Sequence, residues 1–315
     1  MMFKSILSIS LLISLLVFGL VASACASSSP LSASPASNDS LNVVATTTIL
    51  GDVTRQIGGE AIALTVLLPA GADPHSFEPT PQDLRKLANA DVIIVNGAGL
   101  EVFLERLLKN TAPNAKVVVA SEGIPLRQLE GDPAETDPHL WFDPNNVRVW
   151  TQNIERALSD LDPPNAAIYT ANATEYRQQL TDLDRWIRAR VAQIPPLQRK
   201  LVTDHAVLGY FAEEYGFEQI GAVIPGFSAL AEPSAQELVA LENAIREKNA
   251  PAIFVGTTVN PTLAQRVAED TGVQLVMLYT DALTAEGGEA DTYLALMRYD
   301  VDAIVEALSL PRLTP

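Results

Sequence analysis

From residue 41 onward, short apolar runs alternate with amphipathic stretches. Eight runs rich in Val, Ile and Leu read as strands: Leu41–Thr48, Ile62–Leu68, Val92–Asn96, Lys116–Ala120, Lys200–Asp204, Glu218–Ile224, Ala252–Gly256 and Val273–Tyr279. Strands covered on both faces are nearly continuous apolar runs, as these are, whereas half-exposed strands alternate. Helical patterns fall between them, for example Pro81–Ala90, Ser234–Lys248 and Pro261–Thr271, with Pro81 and Pro261 placed where a fixed φ suits a first helical turn. Alternating strand and helix predicts an α/β fold with parallel sheets. Four strands precede the middle of the chain and four follow it, which predicts two lobes, each a four-stranded, mainly parallel sheet flanked by helices.

The longest amphipathic pattern lies between the lobes. Tyr169, Ala173, Tyr176, Leu180, Leu183, Ile187 and Val191 recur at spacings of three and four, with Pro163-Pro164 before them and Pro195-Pro196 after. No glycine or proline interrupts residues 165–194, so the spacing predicts one continuous, rigid linking helix over about 164–194. Its length at 1.5 Å per residue is roughly 45 Å, enough to join lobes at 41–163 and 195–315. The alternative is two shorter helices packed within one lobe.

The first 24 residues have the form of an export signal: Lys4, an apolar run from Ile6 to Val21, then Ala22-Ser23-Ala24-Cys25. Ordinary cleavage after Ala24 is one reading. Lipidation of Cys25, the single cysteine of the chain, is the other and preferred one, with residues 25–40, rich in Ser, Ala and Pro, as a flexible tether. The expected product is an exported monomer held on the periplasmic or extracytoplasmic face of the cell membrane. One cysteine allows no internal disulfide, and a net charge of −17 argues against nucleic acid as a partner.

Candidate chemistry centres on the three histidines of the 315 residues, each at the boundary of an apolar run and a loop. His75 lies in Asp73-Pro74-His75-Ser76, His139 in Asp137-Pro138-His139-Leu140, and His205 in Asp204-His205-Ala206. Imidazole is the commonest zinc ligand, and a closed site takes about four ligands. Ligands in open parallel sheets bind beyond the carboxyl ends of strands. His75 and His205 each follow a predicted strand, and Asp281 directly follows Val273–Tyr279, making it the choice for a fourth ligand. Glu78 and Asp143, carboxylates near a histidine in sequence, are alternatives to Asp281 or partners of the ligands. Taken singly, each histidine is more often a surface or capping residue, and Asp281 a turn cap.

Gly71-Ala72-Asp73-Pro74-His75-Ser76-Phe77-Glu78-Pro79, Asp137-Pro138-His139-Leu140-Trp141-Phe142-Asp143-Pro144, His205-Ala206 with Tyr210-Phe211, and Tyr279-Thr280-Asp281-Ala282-Leu283 resemble the metal-ligand segments of the bacterial zinc and manganese ABC-transporter substrate-binding proteins. The resemblance covers nearly all of residues 41–315. It implies two α/β lobes joined by a rigid helix, metal ligation by His75, His139, His205 and Asp281, and a membrane ABC permease as partner. Manganese-delivering members commonly have Glu where this chain has His205, and many zinc-specific members carry a histidine-rich loop where Glu122–Asp137 has none. Three imidazoles and one carboxylate rank Zn²⁺ ahead of Mn²⁺. A secreted zinc hydrolase, with Asp281 as general base, is the reading from another class; neither a His-Glu-x-x-His helix nor a Gly-x-Ser-x-Gly elbow is present to support an enzyme.

Overall fold

The structure is a computed structural model and describes residues 40–309 apart from 102, 103, 105–107, 109, 110, 113, 130, 131 and 229. The export signal, Cys25 and nearly all of the tether expected above lie outside the described residues. The first lobe contains β1 (Leu41–Ala45), α1 (Thr48–Gly58), β2 (Ile62–Val66), α2 (Pro81–Ala88), β3 (Val92–Val95) and β4 (Lys116–Val119). A short antiparallel pair, β5 (Gln128–Leu129) with β6 (Asp132–Thr136), follows, and then α3 (Pro144–Leu161) and α4 (Ala166–Val191). The second lobe contains β7 (Lys200–Thr203), α5 (Gly209–Tyr215), β8 (Glu218–Ala222), α6 (Ala235–Lys248), β9 (Ala252–Gly256), α7 (Thr262–Thr271), β10 (Gln274–Leu278) and α8 (Tyr293–Ser309).

Each lobe is built on a four-stranded, all-parallel sheet, ordered β2-β1-β3-β4 in the first and β10-β9-β7-β8 in the second. Counted within its own lobe, the second order is the first read from the other edge, so both lobes share one strand topology. The carboxyl ends of both sheets supply the loops that meet in the cleft.

Pleating divides each sheet's side chains between two cores. Val43, Ala45, Val92 and Ile94 of the first sheet and Leu201, Ala252, Phe254 and Leu278 of the second join one continuous apolar cluster with Trp141, Trp150 and Tyr293. The alternate positions, Val44 and Ile93 in one lobe and Val202, Ile253 and Val255 in the other, pack on separate outer clusters beneath α2 and beneath α6 and α7. Both faces of the central strands are therefore dry, the reason for their unbroken Val/Ile runs. The shared cluster includes Tyr169, Ala173, Tyr176, Leu180, Leu183, Ile187 and Val191 of α4, all buried, so the linking helix is part of the core common to both lobes.

Several boundaries are tighter than the sequence patterns indicate. Helix α4 runs for 26 residues, about 39 Å, because Pro163–Asn165 forms a 3₁₀ turn and the chain leaves the helix after Val191. Strand β1 stops at Ala45: Thr47 turns the chain into α1 and caps it, its hydroxyl accepting from the Leu50 N–H at 3.2 Å. The β5–β6 hairpin occupies what reads as an acidic loop.

Candidate metal centre

His75 sits in the loop after β2, where the Asp73 carboxylate accepts its backbone N–H at 2.8 Å and the Gly71 N–H donates to the Leu283 carbonyl of the opposite lobe at 3.2 Å. His139 follows β6, and one oxygen of buried Asp137 receives both its backbone N–H at 3.0 Å and its Nδ1 at 2.9 Å. His205 lies just beyond β7. There Asp204 Oδ1 takes the His205 backbone N–H at 2.7 Å and Nδ1 at 2.9 Å, while Oδ2 accepts the Gly256 N–H at 2.8 Å. Asp281 follows β10, its Oδ2 receiving the hydroxyls of Thr280 at 2.6 Å and Thr258 at 2.7 Å. Gly256 is needed beside it, since a Cβ at that position would stand 2.1 Å from the Thr280 hydroxyl oxygen.

These local supports aim four donor atoms at one point. A nitrogen of each of His75, His139 and His205 and an oxygen of Asp281 all lie within 4.8 Å of one another. The Nε2 atoms of His75 and His139 are 3.2 Å apart, and those of His139 and His205 are each 3.9 Å from Asp281 Oδ1. Two nitrogens bound tetrahedrally at 2.0–2.1 Å would stand about 3.3–3.4 Å apart, so the histidine edge already has the span of a metal polyhedron. His205 Nε2 and Asp281 Oδ1 are buried without a hydrogen-bond partner among the described residues. Orphaned buried polar atoms are costly, and a shared cation would satisfy both.

The electrostatics fit the same role. Burial depresses the imidazole pKa of His75 and, far more, of His139, so both rest neutral with lone pairs free. Burial alone would do the same at His205. The Asp204 hydrogen bond and the charges of Asp281 and Asp204 outweigh it and raise that imidazole to about 9. Burial works to raise the Asp281 carboxyl, and the charge on His205 foremost, together with the Thr280 hydrogen bond, holds the group below its ordinary value. Asp137 is raised by burial to about 7. His139, His205 and Asp281 are fully enclosed. Half-buried His75 alone of the four lines the adjoining cleft of about 880 Å³, bounded by Glu78, Ala98, Glu135 and Phe227.

The structure thus brings together the four residues chosen from sequence. The alternatives stand apart from them: Asp143 caps α3, accepting the Asn145 N–H at 2.8 Å, and Glu78 is exposed. Sequence reasoning missed Asp137 and Asp204, the carboxylates that hold the two buried rings. Their signal was present as an acid one or two residues before each histidine. With Nδ1–H donated to a carboxylate, Nε2 is turned toward the other donors, its lone pair free at His139 and, once the ring loses its second proton, at His205.

Two parallel-sheet lobes on one long helix, with a buried three-histidine, one-aspartate cluster between their strand ends, define a two-lobed metal-binding protein. Residues 43–307 match the family described as zinc-uptake complex component A, periplasmic, and the chain belongs to this family of zinc and manganese transport proteins. It is 36% identical over 298 residues to the manganese-binding lipoprotein MntA of Halalkalibacterium halodurans, covering 94% of this chain and 97% of that one. Among solved structures it resembles the periplasmic zinc-binding protein TroA of Treponema pallidum, with 31% identity, a TM-score of 0.80 and coverage of 85% and 99%. The manganese-bound periplasmic metal-binding protein of Candidatus Liberibacter asiaticus is also similar, at 31% identity and a TM-score of 0.78, with coverage of 84% and 98%.

Proposed function

We propose that the chain captures a divalent transition-metal ion outside the cytoplasm through His75, His139, His205 and Asp281, with manganese as its principal cargo, and presents it to a membrane ABC permease. The observation that carries the capture is the convergence of those four donors within 4.8 Å. The choice of manganese is supported by the manganese-binding name of the relative that spans 94% of the chain at 36% identity, and it departs from the zinc-first ranking drawn from the donor set. Three imidazoles and one carboxylate rank affinity, in which manganese stands lowest; delivery also depends on which ion is supplied.

Zinc is retained as a second reading on one specific observation. Thr280 and Thr258 occupy Asp281 Oδ2, leaving Oδ1 as the free oxygen, and a four-coordinate N₃O site suits zinc. Zinc then binds as a tight competitor. Export by the N-terminal signal, lipidation at Cys25 and a monomeric state complete the proposal. The relatives bear the names of metal-binding and substrate-binding lipoproteins, which supports a binding role over hydrolysis.

Cells of the source organism deleted for the chain, with and without a restored copy, test the cargo by radiotracer uptake of manganese and zinc. Manganese uptake lost on deletion and regained on restoration is the expected result. Loss of zinc uptake alone would establish the second reading in its place.

A further inference from the structure

Beside the cluster, Arg127 joins the two lobes. Arg127 precedes β5 in the first lobe. Its backbone N–H donates to the Tyr210 hydroxyl at 3.0 Å, its guanidinium pairs with Glu213, and its Cζ stands 5.7 Å from the centre of the Tyr210 ring. Tyr210 and Glu213 both belong to α5, which begins four residues after His205. Tyr210 in turn donates its hydroxyl proton to the Asp137 carbonyl at 3.2 Å, and the Asp137 N–H donates to the Arg127 carbonyl at 2.9 Å.

The guanidinium also faces the carboxylate that holds His139. Arg127 Nε and Asp137 Oδ2 are 3.6 Å apart, and both are buried atoms with no hydrogen-bond partner among the described residues. A closure of about 0.7 Å would bring them to hydrogen-bond distance. The space they share exists because residue 209 is glycine: a Cβ there would lie 2.4 Å from Asp137 Oδ2 and 2.8 Å from Arg127 Nε. One chain of contacts therefore runs from His139 through Asp137 and Arg127 to α5, the helix whose start follows His205.

We infer that Arg127 is a positioning residue for metal retention, tying the His139 ligand of the first lobe to helix α5 of the second, with Gly209 keeping room for the tie. The inference rests on the metal-capture reading above. In the ion-bound state the Nε–Oδ2 contact shortens to a charge-assisted hydrogen bond, so both lobes hold the ion together and losing the tie speeds its escape. The carboxylate keeps its bond to His139 Nδ1, so the ligand set is unchanged.

Stopped-flow chelator chase of manganese and of zinc from the whole chain tests this, alongside thermal unfolding of the metal-free form. Arg127→Gln should raise both dissociation rates about tenfold, at the low end of the effect of removing a partner of a metal ligand. Gly209→Ala, which wedges the same pair apart, should do likewise, and Glu213→Gln, at the exposed end of the tie, should give a two- to threefold rise. Arg127→Lys, which keeps the charge, should recover part of the loss. Metal-free unfolding midpoints should stay near that of the unmodified chain. Dissociation rates within twofold of the unmodified chain in both Arg127→Gln and Gly209→Ala would overturn the inference. So would faster release accompanied by a collapse of the metal-free midpoint, which would make Arg127 a support of the fold alone. Failure of the unmodified chain to retain either metal would defeat the proposed function and the tie together, whereas the variants can defeat only the tie.

Discussion

His75 and His139, 64 residues apart in sequence, point their Nε2 atoms at each other across 3.2 Å. The two differ in surroundings: His139 is enclosed and bonded to Asp137, while His75 borders the cleft. Water can therefore replace the imidazole at position 75 more readily than at 139. His139→Ala is expected to weaken metal binding more than His75→Ala, and both by more than the ~10–100-fold typical of losing an outer partner of a ligand. Competition titration against a calibrated indicator measures this, and equal losses would deny the two rings their different roles.

Metal binding should release close to one proton near neutral pH. His75 and His139 are held neutral by burial, so the proton comes from His205, whose imidazole is raised to about 9. Ligation requires that it leave, so apparent affinity should fall by up to tenfold per pH unit as pH drops below about 9. An ordinary imidazole would place that onset near about 6.5. Calorimetry in buffers of different ionisation enthalpy counts the proton, and its absence would mean that His205 is neutral before the ion arrives.

The same residue sets the pH dependence of the metal-free form. A folded-state pKa above the unfolded one contributes stability that is complete below about 6.5 and is lost as pH rises through about 9. The metal-free unfolding midpoint should therefore decline over that window. The gap between metal-bound and metal-free midpoints should widen in parallel. Thermal scans from pH 6 to 9.5 check both.

Asp204 holds His205 through Nδ1 and the backbone and braces β9 through the Gly256 N–H. Asp204→Asn places amide hydrogens against one of these donors and should cost ~10–100-fold in metal affinity, with a lower unfolding midpoint. Unchanged affinity in a titration would show that the ring is oriented by other means.

Opening the cleft widely would tear the apolar cluster that includes strands of both sheets and the whole buried stripe of α4. The radius of gyration, roughly 19 Å for a compact body of this size, should change by less than about 1 Å between metal-free and metal-bound chain. Small-angle scattering showing a larger change would require a hinge within α4 or its flanking turns.

The legible parts of the sequence were those where one residue's environment repeats along the chain. The stripe from Tyr169 to Val191 was readable because a helix buried on one side returns every three or four positions to the same core. His75, His139, His205 and Asp281 were readable because each follows an apolar run or sits in a compact motif. Arg127 was not: its partners Asp137, Tyr210 and Glu213 come from two lobes, and nothing local distinguishes it from a solvated arginine. Asp143 misled for a related reason. An acid near a histidine can serve the ring or cap the next helix, and the Pro144-Asn145-Asn146 that follows makes it a cap. The β5–β6 hairpin escaped notice because Asp132-Pro133-Ala134-Glu135-Thr136 lacks the apolar alternation that marks a strand.

One core passing through both lobes should make them unfold as a single cooperative unit, with one heat-absorption peak where two independent lobes would give two. An ion held by the four proposed ligands would then protect the whole body from unfolding, its stabilisation growing with the logarithm of free ion concentration over the dissociation constant. Any protease that acts only on the unfolded fraction would then make the lifetime of the chain depend on the supply of free ion.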